Sequence, residues 1–133
     1  MTVDRSGGFP SLSGGALLMG AITALGFALC SYLLLGVLGL VTSEGGRGIL
    51  VFVQYVSQLL AGYVAGRLAP AWRLFHGGVS ALCLLVVTVA ISVARDPVGA
   101  FPLFVLLGVV AMVIGAAGGA LAEWRIVDRD EGA

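Results

Sequence analysis

The residues of this chain best suited to chemistry are few and sit close together. His76, the only histidine, stands four residues before Ser80. A helix that starts early enough would put the imidazole and the hydroxyl on one face, the minimal pairing of a base with a nucleophile. Arg67 and Arg73 flank the same stretch, and with His76 they could hold an anionic lipid phosphate or a carboxylate such as Glu123. Upstream, Gln54, Gln58, Gly62 and Gly66 recur every four residues, so two neutral amides share one helical ridge with a GxxxG pair.

Each of these features has a plainer reading. No third group is evident to orient the imidazole, and a histidine beside two glycines at a helix start reads more simply as an interfacial residue. Arg67 and Arg73 could snorkel to headgroups as anchors. The amides could be interhelical glue, or with Ser57 and Thr88 they could line a polar path gated by Arg67 and His76. Catalysis is therefore not expected, and Arg67, His76 and Arg73 stand as candidates for binding lipid or a partner.

The elements that must position these residues follow from composition. The sequence is 59% hydrophobic and 11% charged, with a mean hydropathy of +1.10, far more apolar than a soluble domain. Seven basic residues balance seven acidic ones, so no net field would draw nucleic acid. The chain has neither Lys nor Asn, which removes lysine nucleophiles and Walker-type phosphate loops. Cys30 and Cys83 lie inside long apolar runs and read as buried thiols, small hydrophobes rather than metal ligands. No metal and no cofactor are expected.

In order, residues 1–13 read as a flexible polar leader. The run that follows is uncharged over residues 14–41, too long for the core of a cleaved signal, and Leu29 before Cys30 spoils a lipoprotein-type cleavage site; the segment is expected to be retained. TSEGGRG at residues 42–48 reads as a turn. A second span is expected over 49–69, stopped by Pro70, with Trp72 and Arg73 at the interface. A third covers 77–94, carrying Ser80, Thr88 and Ser92. A turn at residues 95–99 precedes a fourth over 101–122, with Pro102 in its first turn. Residues 123–133 read as a short charged tail. The fold class is thus all-α: an integral membrane four-helix bundle built from two hairpins.

Small residues supply the packing scheme, because lipid gives helices no hydrophobic reason to associate. Ala16, Gly20, Ala24 and Ala28 form one ridge, Gly62 and Gly66 extend the glutamine ridge, and Ala111, Gly115 and Gly119 form a third. Residues 71–74 echo residues 123–126 at an offset of 52, which suggests a parallel two-fold repeat. Orientation follows from the arginines. Arg5, Arg67, Arg73, Arg125 and Arg129 fall on one side and Arg47 and Arg95 on the other, which predicts cytoplasmic N- and C-termini in a cell (inner or plasma) membrane.

With these residues laid out, AGYVAGRLAP in the second run, FHGG opening the third and GAAGG in the fourth resemble small four-helix bacterial membrane proteins of uncharacterised function, of which the YrzE family is typical. In that family a GG-x-x-AGR-like segment ends helix two and a His-Gly-small segment begins helix three. Ala65, Gly66, Arg67, His76 and Gly77 match those positions, and Gly62 stands where a glycine is expected. The resemblance covers roughly residues 55–120. In the connector, Ala-Pro and Trp72 replace a Lys-rich stretch. The resemblance implies a fold and a topology and no activity.

The function expected from the sequence is therefore structural or accessory, through helix packing with lipid, another copy or a partner membrane protein. The alternative is a small solute or ion transporter or channel with its path near Gln54 and Gln58. No acidic residue lies within any expected span, so a carboxylate-based exchange cycle has no carrier.

Overall fold

The computed structural model describes residues 13–95 and 101–130. The chain forms four helices, α1 (Gly14–Val37), α2 (Glu44–Leu68), α3 (Arg73–Arg95) and α4 (Phe101–Asp130), with no strand among the described residues. The leader, apart from Ser13, and the turn at residues 96–99 lie outside the described residues. All four helices are long and apolar enough to cross a membrane.

Helix ends differ from the sequence reading where local hydrogen bonding overrides hydropathy. The apolar run to Val41 is cut short because Gly39 takes the left-handed conformation (φ 70). The Gly39 N–H donates to Gly36 O and the Leu40 N–H to Leu35 O, the paired bonds of a Schellman stop. α2 starts at Glu44 rather than Ile49, because Ser43 caps it, accepting the Gly46 N–H at 3.0 Å, and Glu44 complements the positive end of the dipole. α2 ends as expected before Pro70, with Ala69 extended.

α3 starts at Arg73 rather than Gly77. Trp72, at a positive φ of 54, turns the chain, and its carbonyl accepts the His76 N–H at 3.0 Å. A left-handed tryptophan costs about 1–2 kcal/mol. α4 runs through Asp130, so residues 123–130 extend a helix rather than form a tail; nothing from Ala120 to Asp130 is Gly or Pro. The two Trp-Arg pairs also differ in backbone. Trp72 turns the chain, whereas Trp124 continues a helix.

α2 and α3 each pack on the three other helices, whereas α1 and α4 do not meet among the described residues. α1 lies down through its small ridge: Ala16, Gly20 and Ala24 are buried, and Ala24 meets Ala61 and Leu84 in a small apolar core. A Cβ on Gly20 would lie 2.6 Å from both Ala61 O and Ser80 Oγ. The other three helices meet backbone to backbone. A Cβ on Gly62 would overlap the Gly115 carbonyl, one on Gly77 would overlap the same carbonyl, and one on Gly118 would overlap Leu59 O. At the connector, a Cβ on Gly66 would lie 2.8 Å from Gly119 Cα and one on Gly119 2.5 Å from Arg73 O. The outward faces carry large apolar side chains such as Leu18, Leu33, Phe52, Val86, Val105 and Val113. Cys30 and Cys83 are exposed on those faces rather than buried, because an apolar run long enough to span a membrane places residues on its outward side as well as its inward one.

Gly62→Ala is expected to lower stability by about 1–3 kcal/mol, since its obstacle is backbone and cannot swing aside. Gly26→Ala, with open space around its Cβ, is expected to be neutral or stabilising by up to about 1 kcal/mol. Thermal unfolding of both variants in one mild detergent checks the pair; equal behaviour would contradict the packing described.

Candidate functional site

Two polar features stand out in this apolar bundle. The first joins the start of α1 to the start of α3. His76 is 1% exposed, and its Nε2 accepts the Ser13 N–H at 3.0 Å. A main-chain N–H can only donate, so the ring proton resides on Nδ1, which donates to Trp72 O at 3.2 Å. Ser13 also caps α1, its hydroxyl accepting the Ala16 N–H at 3.4 Å. One turn along α3, the Ser80 hydroxyl donates to Leu17 O at 3.3 Å. His76 and Ser80 thus do share a helical face, but each turns to the α1 main chain and they do not bond each other. Both ring nitrogens are already engaged, so no free base faces the hydroxyl.

Arg67 is exposed at the end of α2 and Arg73 half-buried at the start of α3. Neither is a hydrogen-bond partner of buried His76, whose two ring nitrogens are taken by main-chain groups. Arg73 instead lines an open groove of about 610 Å³ beneath the connector, together with Trp72, Phe75, Met112 and Glu123.

The second feature is a cavity of about 300 Å³ lined by α2, α3 and α4. Gln54, Tyr55 and Gln58 line it from α2, Leu85 and Thr88 from α3, and Leu107 from α4. Gln58 is 3% exposed. Its Oε1 and the Nε2 of Gln54 are buried without a hydrogen-bond partner, leaving an acceptor and a donor one helical turn apart. Unmatched buried groups of this kind cost about 1–3 kcal/mol each. Thr88 also lines the wall, and its hydroxyl donates to Leu84 O at 2.9 Å. Ser57, grouped with the glutamines in the sequence reading, is buried elsewhere and donates to Val53 O at 2.7 Å.

The cavity is blind toward the connector. One turn beyond Gln58, Gly62 meets Gly115, and Gly77 closes on the same carbonyl. The ridge of glutamines and glycines is therefore divided in two, with Gln54 and Gln58 beside the cavity and Gly62 and Gly66 against backbone. The sequence reading gave no packing role to Ser13, Gly77 or Gly118, although the resemblance had matched Gly77 to a family position. A serine directly before an apolar helix is a capping signal, whereas nothing in the spacing marks Gly77 or Gly118 as contacts.

Replacing His76 with Ala removes the partners of the Ser13 N–H and leaves a space at the α1–α3 junction. The expected loss is about 2–4 kcal/mol, with faster amide hydrogen exchange confined to the first turn of α1. Unchanged exchange at residues 13–17 would contradict the seam.

No family model, curated protein or solved structure matches this chain, so its chemistry has to be argued from this geometry.

Proposed function

We propose that the chain is a multi-pass membrane protein with a structural or accessory role, acting through contacts of its outer faces with lipid, another copy or a partner membrane protein. The observation that carries the reading is the closure of the bundle where Gly62 and Gly77 meet the Gly115 backbone. Three helices in backbone contact leave no room for a continuous polar path along their common axis. The large apolar side chains on the outward faces suit hydrocarbon, and helix lengths of 23 to 30 residues exceed the roughly 20 needed to span it.

In this reading both termini and the connector at residues 69–72 are cytoplasmic, by the excess of arginine on that side. Trp72 and Trp124, both exposed, lie at the interface, and Arg67 and Arg73 meet anionic headgroups there. The resemblance to the YrzE-like proteins agrees with this topology. A second reading, a small-solute or ion transporter, is favoured by the glutamine-lined cavity alone and requires the glycine contact to open.

Two measurements separate these possibilities. Cys83 sits near the middle of α3 and is exposed. Embedded in a bilayer, it is expected to resist a charged maleimide until detergent is added, whereas immediate labelling in intact vesicles would contradict the membrane reading. In proteoliposomes, flux of small ions and neutral solutes is expected to equal that of protein-free vesicles. Flux that disappears in a Gln54→Leu, Gln58→Leu variant would establish the transporter instead.

A further inference from the structure

The open groove beneath the connector has charged and apolar residues sorted along its length. Its volume of about 610 Å³ lies in the range of about 300–1,000 Å³ usual for small-molecule sites. Met112, Ala116 and Glu123 line it from α4, and with Gly119 between them they follow at steps of four, three and four residues, which puts them on one helical face. From Met112 to Glu123 this face runs about 16 Å along the axis. The opposite wall carries Trp72, Arg73 and Phe75.

Both charges of the lining sit at the connector end. A Cβ on Gly119 would lie 2.5 Å from Arg73 O, so Arg73 is level with Gly119, and Glu123 follows one turn, about 6 Å, further along the same face. Arg73 is half-buried and Glu123 exposed; among the described residues they form no ion pair with each other. Toward the middle of the bundle the lining is apolar. Met112, which a Cβ on Gly78 would meet at 3.2 Å, marks that inner end, and its side chain and that of Phe75 are both exposed.

Arg73 does not serve its own helix. It opens α3, at the end of the dipole that disfavours a cation, and no acidic residue in the first turn offsets it. Beside it Trp72 holds a left-handed backbone, and residues kept in such conformations concentrate at ligand clamps. A ligand that brings one anion and one cation matches the lining, whereas a purely anionic head would meet Glu123 and a purely cationic one Arg73. Phosphate and ammonium joined by two carbons form such a pair. The guanidinium takes phosphate oxygens on its forked donors, and the carboxylate accepts an N–H from a primary ammonium, a donor that a quaternary ammonium lacks.

We propose that this groove binds one phospholipid with a phosphoethanolamine head, its phosphate on Arg73, its ammonium on Glu123 and an acyl chain along Phe75, Ala116 and Met112. The proposal rests on the membrane reading above and deepens it, because the headgroup that Arg73 meets carries its own cation. The connector end then lies at headgroup depth, where exposed Trp72 suits the interface. The inner end lies among acyl chains.

The test uses the full chain, purified in a mild detergent and freed of lipid, then titrated with dioleoyl phosphatidylethanolamine, phosphatidylcholine or phosphatidylglycerol and read by native mass spectrometry. One phosphatidylethanolamine per chain is expected to be retained, about tenfold more tightly than either of the others, the value of one modest hydrogen bond. Glu123→Gln should erase that preference. Arg73→Gln should weaken retention of all three about tenfold. Ala116→Phe, which fills the groove and leaves both charges in place, should abolish retention.

Equal retention of the three lipids by the wild-type chain, a preference that survives Glu123→Gln, or undiminished retention in Ala116→Phe would overturn the proposal. Lipid-free dimers would also overturn it, by giving the groove to a second copy. Circular dichroism identifies a variant that fails to fold, in which case the wild-type ranking of the three lipids decides. A wild-type chain that stays soluble without detergent and does not float with vesicles would overturn the membrane reading, whereas a helical, vesicle-incorporated protein without headgroup preference overturns this inference alone.

Discussion

The structure depends on direct contact between peptide backbones at Gly62, Gly77 and Gly115. Apolar side chains gain little by leaving lipid for one another, so helices in a bilayer associate through close packing and hydrogen bonds. A glycine brings a neighbouring helix near enough for main-chain atoms to touch, which is the closest packing available. Here three helices converge at one carbonyl, that of Gly115. Gly66, Gly118 and Gly119 carry the same contact toward the connector. The outward side chains can then be large and unspecialised, because they do not hold the bundle together.

That contact also sorts the polar groups. On the connector side, the close approach of α3 leaves no cavity for His76, which satisfies both nitrogens on main-chain atoms and holds the start of α1 against α3. Trp72 takes a left-handed backbone, and its carbonyl receives two donors from His76, one from the main chain and one from the ring. Beyond the contact, α2, α3 and α4 enclose a cavity beside Gln54 and Gln58. In one seam both ring nitrogens of His76 are paired, whereas the other keeps two unmatched amide atoms.

Much of this was legible in the sequence because it depends on spacing. The four-residue recurrence of Ala16, Gly20 and Ala24, of Gln58, Gly62 and Gly66, and of Ala111, Gly115 and Gly119 identifies buried ridges, since positions four apart lie on one helical face whatever the surroundings. Other features depend on where a helix begins. His76 read as interfacial because the third helix was placed from Gly77, and a start at Arg73 moves it one turn inward. Cys30 and Cys83 read as buried because they lie in apolar runs, but in a bundle that suits lipid an apolar residue is as much at home outside as in. The tail became helix because charge alone does not end a helix when neither Gly nor Pro interrupts it.

The most direct test of this account is the distance between α2 and α4 in a lipid bilayer. A Cβ on Gly62 would lie 2.7 Å from Gly115 Cα, which, with a bond of about 1.5 Å, places the two Cα atoms within about 4 Å. Solid-state NMR of glycine-labelled protein in membranes can detect that proximity as a carbon–carbon correlation. The account predicts a strong Gly62–Gly115 cross-peak at short mixing time. Its absence, with both residues assigned and the helices intact, would contradict the contact from which the closed axis and the blind cavity follow.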